Sequence, residues 1–98
     1  MKPKHFKFYY ENGNIEREEY RAKGEYHRED GPAVLFYYED RNIELEDYFI
    51  NGKRHRENGP AYIQYNRDGS IKYKQYYLNG VYITDEFKIM IMETLNIE

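Results

Sequence analysis

Residues 8–35 read FYYENGNIEREEYRAKGEYHREDGPAVL, residues 36–63 read FYYEDRNIELEDYFINGKRHRENGPAYI, and residues 64–85 read QYNRDGSIKYKQYYLNGVYITD. The three segments align without a gap at a period of 28. Tyr9/Tyr37/Tyr65, Ile15/Ile43/Ile71, Tyr20/Tyr48/Tyr76 and Gly24/Gly52/Gly80 stand in all three. His27-Arg28-Glu29-x-Gly31-Pro32-Ala33 returns as His55-Arg56-Glu57-x-Gly59-Pro60-Ala61. A fixed period of this size marks an architecture whose units bury their apolar surface only against their neighbours.

Within each segment, apolar residues alternate with polar ones in two runs separated by turn chemistry, the pattern of strands joined as hairpins. Glu11-Asn12-Gly13-Asn14 and Arg67-Asp68-Gly69-Ser70 hold the Asn-Gly and Asp-Gly pairs of tight turns; the middle segment has Asp40-Arg41-Asn42, so its positive φ is expected on the Asn or in another turn type. A longer connection ends in Gly31-Pro32 or Gly59-Pro60, where a proline opens the next strand. The expected fold is all-β: an antiparallel meander of 28-residue hairpin repeats at 8–35, 36–63 and 64–83.

Parity along the strands puts Tyr9, Tyr37 and Tyr65 with Ala33, Leu35, Ala61 and Ile63 on an expected buried face, joined by Tyr20, Tyr48 and Tyr76. From Thr84 the alternation stops. Phe87, Met90, Ile91 and Leu95 are spaced as one helical face, and Thr84 or Asp85 can cap it. A short capping helix is expected over 85–96.

The whole 98-residue chain reads as one domain. Its 34% charged residues and mean hydropathy of −1.10 would suit a disordered chain, but thirteen Tyr and five Phe supply the apolar area that such chains lack. The absence of cysteine excludes a disulfide framework, a thiolate metal site and a cysteine nucleophile. No apolar run is long enough to span a membrane, and Met1-Lys2-Pro3-Lys4-His5 is not the start of a signal peptide, so a soluble cytoplasmic protein is expected.

The columns around Asn51-Gly52-Lys53-Arg54-His55, followed by a tyrosine-bearing strand and the Asp68-Gly69 turn, resemble MORN-type β-hairpin repeats. The His-Arg-Glu-x-Gly-Pro-Ala element resembles a variant class found in bacterial and phage proteins, close to the repeats of YwqK-type antitoxins. The ending Asn79-Gly80-Val81-Tyr82-Ile83-Thr84-Asp85-Glu86-Phe87 is similar to the one with which such arrays pass into a final helix. The resemblance spans roughly 8–83 and implies scaffolding, protein-binding, dimerising or lipid-associating roles without catalysis.

The chemistry-bearing residues agree with that reading. His27-Arg28-Glu29 and His55-Arg56-Glu57 each gather a base, a cation and an acid. A catalytic constellation is single and differentiated, however, whereas this one recurs at the structural period. It is expected to satisfy backbone groups of the long connection. No metal site, cofactor or enzymatic activity is expected: Ser70 is the chain's one serine, and neither a phosphate loop nor ligand spacing is present.

Charge is distributed unevenly: residues 1–10 carry +3, 11–47 carry −7, 51–82 carry +4 and 83–98 carry −3. With a pI near 5.7, direct nucleic-acid binding is not expected, and the acidic stretches argue against anionic membranes. Glu16, Glu18, Glu44 and Glu46 fall at equivalent positions and form an expected acidic field. It is read either as a solvated face or as a docking surface for a basic partner protein, such as a nucleic-acid-binding enzyme or a toxin.

The parity left outside the core holds Phe6, Phe8, Tyr10, Val34, Phe36, Tyr38 and Tyr62, an apolar field read either as a binding surface or as a layer covered by the C-terminal helix. The expected partner-binding residues are therefore Phe8, Tyr10, Phe36, Tyr38 and Tyr62 with Glu16, Glu18, Glu44 and Glu46. The expected function is non-enzymatic protein–protein recognition, as a small inhibitor or antitoxin-like protein of phage or mobile-element type. The alternative is a self-assembling structural module, with a homodimer through the N-terminal edge strand among its forms.

Overall fold

The computed structural model describes residues 2–84, so the helix expected over 85–96 lies outside the described residues. All ten elements are strands: β1 (Lys4–Tyr9), β2 (Ile15–Ala22), β3 (Glu25–Tyr26), β4 (Val34–Tyr37), β5 (Ile43–Asp47), β6 (Phe49–Ile50), β7 (Lys53–Arg54), β8 (Tyr62–Tyr65), β9 (Ile71–Leu78) and β10 (Val81–Ile83). They make an antiparallel meander in the order β1-β2-β4-β5-β8-β9-β10, with β3 also paired to β2 and β6-β7 a hairpin of its own. No helix among the described residues is long and apolar enough to cross a membrane.

The hairpins β2-β3, β6-β7 and β9-β10 are laid side by side by single backbone bonds. Arg28 N–H donates to Phe49 O and Gly52 N–H to Tyr26 O; 28 residues on, Arg56 N–H donates to Tyr77 O and Gly80 N–H to Arg54 O. Tyr20 and Tyr48 join this row of hairpins to the main sheet. Tyr20 N–H donates to Ala33 O while Tyr20 O accepts from His27 N–H, and Tyr48 does the same with Ala61 and His55. Both backbone groups of each tyrosine are thereby satisfied, as burial of a strand junction demands.

Two kinds of turn set the register. In the first, Gly13, Arg41 and Gly69 have φ of 89°, 78° and 89°, and Asn12, Asp40 and Asp68 accept the backbone N–H two residues on. A left-handed residue after such a turn makes a bulged hairpin, and the register indeed slips at Phe8/Tyr9, Phe36/Tyr37 and Gln64/Tyr65. In the middle turn the positive φ falls on Arg41 rather than on Asn42, which corrects the sequence expectation. Its guanidinium Nε and Nη2 donate to Asn14 Oδ1 of the first turn at 3.2 and 3.1 Å, offsetting the strain that a side chain meets there. The second kind, Lys23-Gly24, Asn51-Gly52 and Asn79-Gly80, has positive φ at both central residues.

The ladders place Lys7, Glu18, Leu35, Glu46, Ile63 and Lys74 in one row across the sheet, and Phe8, Arg17, Phe36, Leu45, Gln64 and Tyr73 in the adjacent row of the opposite face. Glu18 and Glu46 are therefore not stacked as like charges; Leu35 stands between them. The apolar core consists of Ala33, Val34, Leu35, Ala61, Ile63 and Ile83, and no large side chain is fully buried. The expectation of Tyr9 as core fails, since it is 59% exposed on an edge strand with no neighbour beyond it. Val34, expected outside, is buried.

Lysine carries a larger penalty at positive φ than asparagine, and Asn-Gly suits a two-residue turn with both central φ positive. Lys23 (φ 54°) makes no side-chain contact that would be lost on replacement. Lys23→Asn should raise the unfolding free energy by about 0.5–1 kcal/mol in denaturant titration; a lower value would show that the turn is not under this constraint.

Candidate interaction surface

The nine residues expected to bind a partner separate onto two sides of the sheet. Phe8, Phe36 and Tyr62 lie on the face of Arg17, Leu45 and Gln64. Phe6 and Phe8 are 40% and 37% exposed, and Tyr73, at the far edge of the same face, is 48% exposed. Phe36 and Tyr62 between them are half-buried. The Arg17 guanidinium sits 4.1 Å over the Phe8 ring and 5.7 Å over the Phe36 ring, with Nε 3.0 Å from Glu19 Oε2.

Two buried carboxylates lie under this aromatic field. Glu19 is 7% exposed and meets Arg17 and Arg21. Asp47 is 6% exposed and takes a two-pronged pair from Arg54, at 2.8 Å from Nε and 2.9 Å from Nη2. Arg54 also lies 5.1–5.6 Å from the rings of Tyr62, Phe49 and Tyr77, a cation held among aromatic faces. Burial pushes the Asp47 carboxyl up while Arg54 opposes it, and the hydrogen bonds to Asp47 keep Arg54 protonated. Neither pair was expected from the sequence. The signal was a column holding Glu19, Asp47 and Gln75, polar in all three segments although that parity is otherwise apolar or aromatic in β5 and β9.

On the other side, Glu18 and Glu46 are engaged within the sheet. The Tyr37 hydroxyl donates to Glu18 Oε2, His5 Nε2 lies 2.6 Å from Glu18 Oε1, and the Tyr65 hydroxyl donates to Glu46 Oε1 at 2.6 Å. Burial together with the carboxylate partner pushes both phenols well above the usual tyrosine value. Burial alone would raise Glu18, but the bonds from Tyr37 and His5 outweigh it and leave its carboxyl below the usual range.

Tyr10 and Tyr38 close the same side by donating to Tyr37 O and Tyr65 O, and the Arg67 guanidinium covers Tyr38 at 4.5 Å. Glu16 and Glu44 are the extra residues of the bulges. They have no ion-pair partner among the described residues, and with burial they push up the Tyr10 phenol. The acidic field thus comprises Glu16 and Glu44 around Tyr10, while Glu18 and Glu46 serve the sheet.

The His-Arg-Glu loops pack against the next hairpin. His27 Nδ1 accepts Asn51 N–H at 3.0 Å, and His55 Nδ1 accepts Asn79 N–H at 2.9 Å, which fixes both rings with the proton on Nε2. Those Nε2 atoms stand 3.6 and 3.5 Å from Glu29 and Glu57. Gly31 and Gly59 have ordinary φ; a Cβ at either would lie 3.0–3.1 Å from the Arg28 or Arg56 guanidinium carbon, so the arginine would have to give way by a few tenths of an ångström. Among the described residues no group of three or more His, Asp or Glu side chains is placed to hold a metal ion. No family model matches the chain, and no curated protein or solved structure shows significant similarity to it.

Two pH dependences follow from these bonds. Glu18 is depressed in the fold, so its stabilisation is present above the unfolded value of 4.5 and is lost as pH falls through the lower folded value. Tyr37 and Tyr65 are raised, so their stabilisation is present below 10.0 and is lost as pH rises beyond it. Unfolding midpoints measured against pH should drop on both sides. Glu18→Gln should flatten the acid limb, and Tyr37→Phe with Tyr65→Phe the alkaline one; limbs indifferent to these changes would assign the dependence to other groups.

Proposed function

We propose that this protein acts by non-enzymatic protein–protein recognition, as a MORN-like hairpin-repeat module of the small inhibitor or antitoxin type. The observation that carries this reading is the exposed aromatic field of Phe6, Phe8 and Tyr73 on a face whose two buried carboxylates, Glu19 and Asp47, are each met by arginine. Large apolar side chains left in water beside neutralised ion pairs suit desolvation by a second surface, and aromatic residues dominate such contacts. The matched partner side is Phe8, Phe36 and Tyr62. Glu16 and Glu44, without an ion-pair partner among the described residues and close to Tyr10, give the sheet a means of steering a basic partner such as a nucleic-acid-binding enzyme or toxin.

The register supplies an argument against the self-assembling alternative. A second copy added to β9 in the manner in which β8 adds to β5 would set its Lys7 opposite Lys74, because Glu46 faces Ile63, Lys74 stands 28 residues after Glu46 and Lys7 stands 56 residues, two periods, before Ile63. Like charges directly opposite each other destabilise a strand pair, and lysine on an outer strand is a common guard against such pairing.

Light scattering of the purified chain should therefore give a monomer, and concentration-dependent filaments would favour assembly instead. Against a partner captured from the native host, Phe8→Ala should weaken binding by about 1–4 kcal/mol with little change in melting temperature. A variant that unfolds while its folded fraction binds normally would make Phe8 part of the core.

A further inference from the structure

The loops at 27–32 and 55–60 make the same set of contacts with one exception. The Arg28 guanidinium lies 3.9 Å over the Tyr20 ring, donates from Nη1 to Pro32 O at 3.2 Å, and donates from Nε to Asp30 Oδ1 at 3.0 Å. The Arg56 guanidinium lies 4.0 Å over the Tyr48 ring and donates from Nη1 to Pro60 O at 3.2 Å, but the residue two positions on is Asn58. Among the described residues Arg56 has no carboxylate partner, and its Nε donates to nothing. Tyr48, Arg56 and Asn58 line an open cavity of about 630 Å³ between the two loops. The other cation and the histidine of that cavity are already matched, Arg28 by Asp30 and His55 by Glu57.

Stacking on Tyr48 and the bond to Pro60 O orient Arg56 as Arg28 is oriented, so the site is preformed and lacks only its acceptor. A guanidinium edge is shaped for a carboxylate, which it can take through two parallel N–H donors. We propose that Arg56 is a carboxylate-binding site, in which a ligand carboxylate takes the place that Asp30 holds against Arg28. Glu29, Asp30 and Glu57 line the same cavity and repel more highly charged anions, which favours a single carboxylate over a phosphate dianion. The carboxylate comes either from an aspartate or glutamate side chain of a polypeptide or from a small organic acid. The site does not depend on the aromatic face and is tested on the isolated chain.

The test follows the Nε–H nuclear magnetic resonance signals of Arg56 and Arg28 during titration with acetate, with a capped glycine-serine peptide carrying one aspartate, and with inorganic phosphate. The Arg56 signal should move saturably with acetate and peptide, Arg28 should not respond, and phosphate should bind more weakly. In Asn58→Asp, where the chain supplies its own carboxylate, the Arg56 response should vanish while the fold is retained. Peptide affinity above that of acetate by about tenfold or more identifies a polypeptide source, and equal affinities a small acid. An Arg56 signal that moves no more than Arg28, or an Asn58→Asp variant that responds like the native chain, overturns the proposal.

Discussion

The ties of the Tyr10, Tyr37, Tyr38 and Tyr65 hydroxyls to other strands are the interactions on which this sheet depends. Its apolar core is built from Ala33, Val34, Leu35, Ala61, Ile63 and Ile83, and no large side chain is fully buried. Burial of apolar area contributes about 25 cal/mol per Å², so six small or medium residues leave much of the sheet to be held by other means. Tyrosine provides them. Its ring covers apolar surface while its hydroxyl reaches an acceptor: Tyr37 and Tyr65 bond Glu18 and Glu46, and Tyr10 and Tyr38 bond the Tyr37 and Tyr65 carbonyls. Arginines complete the arrangement by lying flat on the rings of Tyr20, Tyr48 and Tyr38.

Much of this architecture was legible in the sequence. Gly13 and Gly69 adopt positive φ at turns, as the Asn-Gly and Asp-Gly pairs implied, and the runs between the turns are antiparallel strands; Gly24 and Gly52, read as the start of a longer connection, stand instead in tight hairpin turns. What parity could not give was the effect of the bulges. They remove Glu16 and Glu44 from the ladder, while β4 sets Leu35 between Glu18 and Glu46, so an acidic stripe in the sequence becomes two carboxylates tied to tyrosines and two half-buried ones outside the ladder. Arg41 escaped the reading because its strain is offset by Asn14, a residue 27 positions earlier, and no local rule contains that contact.

The surface follows from the same economy of burial. A single sheet with few apolar residues leaves both faces partly wet, and the aromatic residues at its first edge, Phe6 and Phe8, have no following strand to cover them. Arg17 shields them from one side only. The buried carboxylates on that face are met by arginine, Glu19 by Arg17 and Arg21 and Asp47 by Arg54, so a partner arriving there displaces water from rings rather than stripping isolated carboxylates. The loops differ in a single carboxylate, Asp30 against Asn58, and that difference leaves Arg56 without the carboxylate that Arg28 has among the described residues.

A double-mutant cycle on Tyr65 and Glu46 tests the dependence on phenol–carboxylate ties most directly. Unfolding free energies of Tyr65→Phe, Glu46→Leu and the double variant should yield a coupling of about 1 kcal/mol or more, because each single change leaves a half-buried polar group without its partner. Effects that add within about 0.3 kcal/mol would contradict the account.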